Sequence, residues 1–270
     1  MESIIINIAV LFVGLCLGSF LSVVIYRILH HQKGIIAGRS RCPNCRHQLG
    51  ALDLIPVLSW LFQKGRCNYC QKPISAIYPA LELSSGLLLL STWLSFQVPL
   101  FELNTIFSNL ISTNVLNWST LIYLEIINLI LLSICFYDLQ TKKIPNLFLI
   151  VWVVASIPAL ITQSWISALI AIIINLVFFG GQWFISKERW LGLGDVYFSI
   201  GMAFLLGWEK NLLAIVCSYF LGSIIAIILL LKHKANSKTP LPFTPFLIMG
   251  TLIAIYFGKD IILWYTSFSF

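Results

Sequence analysis

The sequence predicts an all-α polytopic membrane protein of about eight transmembrane helices, with a cysteine-bearing cytoplasmic loop between the first two. Three observations carry this expectation. Of 270 residues, 59% are hydrophobic and only 10% are charged, against about 25% charged in soluble domains. The apolar residues gather into stretches near the ~20 residues that cross a bilayer as helix, too long and uniform for barrel strands. Fifteen of the 17 lysines and arginines fall in alternate loops between those stretches.

The apolar stretches are residues 4–28, 76–96, 120–137, 147–161, 165–185, 196–206, 212–231 and 243–264. The first is longer than a signal-peptide core, has no basic residue before it and ends on Arg27, so it reads as a retained helix. The fourth and sixth are short, which suits helices that are tilted, broken or enclosed in the bundle. Eight basic residues from Arg27 to Lys72 lie at the end of the first stretch and in the loop after it. Lys142 and Lys143 follow the third, Lys187 and Arg189 the fifth, and Lys232, Lys234 and Lys238 the seventh. Only Lys210 and Lys259 fall in the other loops. The positive-inside rule makes the basic loops cytoplasmic and puts both termini outside. The net charge of +7 therefore belongs to the bilayer surface and predicts no nucleic-acid partner. The organisation expected is an N-terminal region 1–96 containing the loop 30–75, an extracellular linker 97–117, and a six-helix region 118–270.

The first cytoplasmic loop holds "RCPNCRHQLG" and "GRCNYCQKPIS", that is, Cys42/Cys45 and Cys67/Cys70 as two C-x-x-C pairs. Each pair offers two thiolates from one turn, and four thiolates make a closed tetrahedral Zn2+ site with no position left for a substrate. A reducing cytoplasm favours metal over disulfides. Cys16, Cys135 and Cys217 lie in apolar stretches and read as small core residues. Between the pairs, "LDLIPVLSWLFQ" is too apolar for a free loop and too short to span. It suits the membrane surface, with Trp60 and Phe62 as anchors, or a small core over the cysteines.

Of ten acidic residues, most, Asp53 of the cysteine loop among them, read as ordinary solvated charges, while Glu82, Glu125, Asp138 and Asp195 lie in or beside helices. A charge at bilayer centre costs roughly 2.5–3.5 kcal/mol even on the lenient insertion scale, so each needs compensation or a use. Asp138 ends the third helix in "CFYDLQTKKIPN" and Asp195 begins the sixth in "GLGDVYF". Opposite helix directions put both at the cytoplasmic edge. Two carboxyls that meet there share one proton, so that one activates water and the other protonates a carbonyl oxygen. Taken alone, Asp195 also reads as an N-cap, whereas Asp138 at a helix C-terminus opposes the helix dipole. An ion pathway uses the same residues. Gly192 and Gly194 read as positions of unusual backbone angle or close substrate approach, and Pro145 as the start of the fourth helix.

With these motifs in place, the chain resembles the type IV prepilin peptidases, bifunctional leader peptidase/N-methyltransferases of the GxGD aspartic class. The resemblance rests on "GLCLGSFLSVVIYRI", "CPNC" with "DLIPVLSWL" and "GRCNYC", "KPISAIYPALELSSGLL", "YDLQTKKIPN", "GLGDVYF" and "LPFTPFLIMG", in that order over nearly the whole chain. It implies Asp138 and Asp195 as the catalytic pair and Cys42, Cys45, Cys67 and Cys70 as zinc ligands. It associates Glu82 and Gly86 with methyl transfer. It further implies removal of the basic leader of type IV pilins or pseudopilins at the cytoplasmic face of a bacterial cell membrane. Methylation of the new N-terminus by S-adenosylmethionine would follow. The chain departs from the family pattern at Ser22 (often Asn), Ile77 (Arg), Thr244 (Gly) and Tyr197 (Lys). The rival readings are a proton-coupled transporter using Asp138 and Asp195, and a non-enzymatic assembly factor whose zinc loop docks partners.

Overall fold

The computed structural model describes residues 2–30, 38–97, 113–161, 163–189, 191–232 and 242–267. Regular structure among them is helical, with two isolated β-bridges in the cysteine loop. Residues 98–112 of the expected linker lie outside the described residues, as do Lys33, Lys234 and Lys238, and 113–117 already belong to a helix. The chain divides into two compact units, Met1–Phe136 and Tyr137–Phe270.

The first unit contains α1 (Glu2–Leu29), a short α2 (Leu58–Phe62), α3 (Ile77–Gln97) and most of α4 (Thr113–Thr141). Glycine lets α1 and α3 touch backbone to backbone. A Cβ on Gly14 would lie 2.7 Å from the Gly86 Cα, and one on Gly18 2.7 Å from the Glu82 Cα. Such spacing of small residues is how helices associate in lipid, where apolar burial between helices gives little drive. Polar pairs add direction: Trp93 Nε1 donates to Asn7 Oδ1 at 3.1 Å, and Asn128 Nδ2 donates to Thr92 Oγ1 at 3.1 Å.

The second unit holds the end of α4, then α5 (Asn146–Ser156) with a 3-10 continuation Ile157–Ile161. Next comes α6 (Trp165–Asn175), which runs through a π-helical turn Leu176–Gly180 into α7 (Gly181–Ser186). The long α8 (Leu193–Leu231) and α9 (Thr244–Ser267) complete it. Among the described residues six helices are long and apolar enough to cross a membrane, and Asn146–Ile161 is a shorter apolar one. The eight expected stretches are recovered because α8 is two helices. Asn175 on α6 donates to the Ser199 carbonyl at 2.6 Å and to Asn211 Oδ1 at 3.1 Å, and Asn211 returns a bond at 2.8 Å. On a straight helix residues 199 and 211 would stand about 18 Å apart, beyond the reach of one side chain. The chain therefore reverses at Gly207, whose φ of 67° and ψ of 180° suit glycine. The halves 193–206 and 208–231 are the predicted sixth and seventh helices. Gln163 and Ser167 hydrogen-bond the Phe204 carbonyl and the Trp208 N–H at this turn, so its backbone groups are not left bare.

Two close contacts seat the helices that carry the site. Trp152 of α5 is fully buried, stacks on Phe198 with ring centroids 5.1 Å apart, and donates Nε1–H to the Phe198 carbonyl at 2.8 Å. Gly201 leaves room for that indole. On α9, Gly250 lies directly against Ser218 and the Ala214 carbonyl, so any larger residue would push α9 off the second half of α8.

Candidate active site and metal centre

Asp138, Asp195 and Thr244 come together in the second unit. Asp138 is 4% exposed, one turn from the end of α4. That helix stops because Lys142 takes a left-handed conformation (φ 54°), its N–H returning to the Asp138 carbonyl at 2.7 Å. Asp195 is buried at the third position of α8. It is not the N-cap residue, which is Gly192. Instead its Oδ2 reaches back to accept the Gly192 N–H at 3.2 Å. Its Oδ1 accepts from the Thr244 hydroxyl at 2.6 Å. Asp138 interacts with that same hydroxyl and with the charge of Asp195. Asp138 Oδ2 is buried and has no hydrogen-bond partner. A carboxyl oxygen left so at a helix C-terminus gains nothing for the fold. What the arrangement offers is acid–base chemistry: two buried carboxyls close together, one of them with an oxygen that no donor engages.

The neighbours refine the expectations. Gly192 is extended (φ −76°, ψ 153°) and Gly194 is helical, so neither uses an angle closed to other residues. A Cβ on Gly192 would meet Asp195 Oδ2 at 3.6 Å, and one on Gly194 the Ile144 side chain at 3.4 Å, both ordinary contact distances, so packing within the chain does not require glycine at either position. Pro145 is the N-cap of α5 (φ −63°, ψ 138°), which separates the Asp138 turn from the next helix. Tyr197 is half exposed. Thr244 stood out in the sequence only as a departure from a family pattern. Its partnership with Asp195 spans 49 positions, and no local motif announces it.

The four cysteines of the loop converge. Their Sγ atoms all lie within 4.8 Å of one another, and Cys42 and Cys70 sulfurs are 3.9 Å apart. Sulfurs at about 2.3 Å from a tetrahedral ion stand about 3.8 Å apart, whereas a disulfide is about 2.05 Å long. The cluster can hold a metal ion. The two halves repeat one turn: Arg46 N–H bonds the Cys42 carbonyl and Gln71 N–H the Cys67 carbonyl, each at 2.9 Å. Arg46 and Gln71 both take positive φ, 58° and 57°. Burial works against a thiolate at Cys42, but hydrogen bonds from the Cys45 and Asn44 backbone and from the Cys45 and Cys67 thiols pull it down to about 7. A bond from the His47 backbone favours the Cys45 thiolate, yet desolvation and the neighbouring Cys42 and Cys70 sulfurs push it up to about 11. One thiolate opposes the next, and a dication removes that opposition.

Asp53, expected as an ordinary loop charge, ties this domain together. It accepts from the Gly50 N–H, Gln63, Asn68 and the Tyr69 hydroxyl at 3.0, 3.1, 3.0 and 3.3 Å. Trp60 turns inward, bonding the Ile74 carbonyl at 3.1 Å and covering Gly65. Leu52, Leu58, Leu61 and Phe62 remain exposed.

A cavity of about 720 Å³ opens between this loop, α1 and α3, and every residue lining it belongs to the first unit. Glu82 and Arg27, both buried, line it beside Ser22, Tyr26, Trp60 and Tyr78. Glu82 Oε2 accepts the Val57 N–H at 2.7 Å. Val57 is a β-branched residue at φ 61°, a strained conformation that this bond helps hold at the cavity rim. Gly86 does not line the cavity. It packs against Leu15, whose Cδ2 would be 2.8 Å from an added Cβ.

Comparison with known proteins agrees along the chain. Residues 12–96 match the bacterial peptidase A24 N-terminal domain, and residues 125–227 match the type IV leader peptidase family. A prepilin leader peptidase/N-methyltransferase of Bacillus subtilis is 30% identical over 261 residues, covering 95% of this chain and 97% of that protein. One of Aeromonas hydrophila is 27% identical over 284 residues, covering 94% and 91%. No solved structure matches significantly.

Proposed function

This chain belongs to the type IV leader peptidase family, and from that premise we propose a membrane aspartic endopeptidase that also methylates its product. The substrates are type IV prepilins or pseudopilins, whose basic leader is removed at the cytoplasmic face of a bacterial cell membrane. The observation that carries this reading is the buried Asp138–Thr244–Asp195 cluster. Asp138 and Asp195 act as the catalytic pair: one carboxylate takes a proton from water, while the other carboxyl donates to the scissile carbonyl oxygen. Gly192, Gly194 and Pro145 form the surrounding loop, where the absence of side chains admits an extended peptide. The peptidase region is 118–270, with the cytoplasmic site and external termini expected from the positive-inside pattern. Co-expression with a pilin-like substrate followed by mass spectrometry of its N-terminus tests the whole reading. A product shortened at the leader junction and carrying one added methyl group is the expected result, and an intact leader refutes it.

In the same proposal Cys42, Cys45, Cys67 and Cys70 hold a structural Zn2+. Four sulfurs at tetrahedral spacing suit that ion, and no position remains for a substrate. The cofactor for methyl transfer is S-adenosylmethionine, which supplies an electrophilic methyl group. The first-unit cavity suits it in size, since small-molecule sites run about 300–1,000 Å³, and in chemistry. Arg27 can pair with its carboxylate, and the rings of Tyr26, Trp60 and Tyr78 can receive its adenine and sulfonium. Glu82 places a carboxyl beside these groups and holds the loop over them, while Gly86 sets the α1–α3 spacing behind it. Ser22→Phe fills the cavity, and is expected to lower binding of labelled S-adenosylhomocysteine by equilibrium dialysis together with methylation of the mature N-terminus. Undiminished binding in that variant would move the cofactor elsewhere.

A further inference from the structure

Thr244 is 2% exposed, and its only proton is directed to Asp195 Oδ1 at 2.6 Å. The Asp138 carboxyl lies near enough to the Thr244 hydroxyl and to Asp195 to feel both. The other oxygen of Asp195 is occupied by the Gly192 N–H. A hydroxyl has one proton and two lone pairs. With its proton given to Asp195, it can only accept from Asp138. Two carboxyls joined in this way differ in role, one being the donor to threonine and the other the acceptor from it.

We propose that the Thr244 hydroxyl relays a proton between Asp138 and Asp195, so that the pair shares its proton through threonine rather than by direct carboxyl contact. In the resting arrangement Asp138 is the acid and Asp195 the carboxylate that accepts from Thr244 and Gly192. In the relay step the Asp138 O–H bond breaks as a new bond forms to Oγ1, and the original Oγ1–H proton passes to Asp195 Oδ1. The hydroxyl gains one proton and loses one, no electrons change hands, and the two carboxyls exchange roles. The exchange needs no bulk water, which suits a site whose three groups are at most 7% exposed. It also gives a reason for a polar side chain at a buried helix start, followed directly by Pro245, where a cap alone would face solvent.

The proposal rests on the peptidase reading, and its test separates the two. Steady-state cleavage of a synthetic prepilin is measured for the full-length protein in nanodiscs and for Thr244→Val, Thr244→Ala and Thr244→Ser, each checked by thermal unfolding. Valine keeps the shape and removes the relay, so kcat falls about 10- to 100-fold, the scale of one hydrogen bond to a charged group. The Michaelis constant stays within about twofold, because the group lost acts in the chemical step rather than in binding. Serine keeps the hydroxyl and restores kcat to within about threefold of the parent. Alanine repeats the valine result where valine does not fold. A folded valine or alanine variant with the parent kcat overturns the relay, as does a folded serine variant that is inactive. Loss of cleavage on Asp138→Asn and Asp195→Asn alongside an active Thr244→Val leaves the peptidase reading standing and removes only the relay.

Discussion

Asp138→Asn and Asp195→Asn are each expected to abolish leader cleavage. Asparagine preserves size and polarity, and in Asp195→Asn its amide oxygen can still accept from the Thr244 hydroxyl seen at 2.6 Å. The substitution therefore removes proton transfer while leaving most of the positioning. The bond from the Gly192 N–H at 3.2 Å is the one contact that an amide NH2 group cannot replace. A positioned acid or base contributes about 10²–10⁴-fold to rate, and here both roles act in one step, so either variant should lose at least that much. Cleavage by purified, folded variants is the measurement. Near-normal turnover by either would exclude an aspartyl mechanism. The same variants separate the two activities. Asp195→Asn should still methylate a precleaved pilin, because the proposed cofactor cavity is lined wholly by the first unit. If it does not, a single shared site is the better description.

Removal of the proposed Zn2+ is expected to unfold the segment 38–75 without dispersing the spans. Only Cys42, Pro56, Gly65 and Cys67 are buried among those residues, so two of the four buried positions are ligands. A segment with so little apolar core depends on its ion, and structural zinc contributes ~10–16 kcal/mol to folding in small peptides. One zinc per chain should be found by metal analysis. After chelation, trypsin should cut at Arg46, Lys64 and Arg66 while the helices remain protected. Cys67→Ser should reproduce this, whereas Cys135→Ser, a half-buried helical residue, should not. A metal-free preparation with a protease-resistant loop and full activity would remove zinc from the account. Because Glu82 ties α3 to this loop through Val57, chelation should also weaken binding of S-adenosylhomocysteine.

Most of the secondary structure was legible in the sequence because its cause is local. Apolar length predicts each span, and even the split of α8 was visible as two stretches either side of Gly207. The cysteine cluster was legible for the same reason: two C-x-x-C turns each bring a ligand pair together within a few residues. For the aspartates, helix direction predicted a common depth, and the structure places them near one another beside the Thr244 hydroxyl.

Other features depended on contacts between residues far apart in the chain. Asp195 suited an N-cap from its sequence position, yet Gly192 occupies the cap and the aspartate side chain reaches back to it. Gly192 and Gly194 suggested unusual backbone angles, yet one is extended and the other helical, as any residue can be. Asp53 looked like a solvated charge until the folded loop brought four donors to it. The reversal at Gly207 is demonstrated by Asn175, a residue 32 positions earlier that touches both halves. Thr244 is the strongest case. By itself the sequence determined that the chain spans a membrane as helices, carries a four-cysteine cluster and offers two acids at one depth, because periodicity, spacing and length act over short range. Only the tertiary structure decided which hydroxyl binds Asp195, which Asp138 oxygen is left without a donor and which glycines are needed for packing, because each depends on close contact between helices that no local pattern encodes.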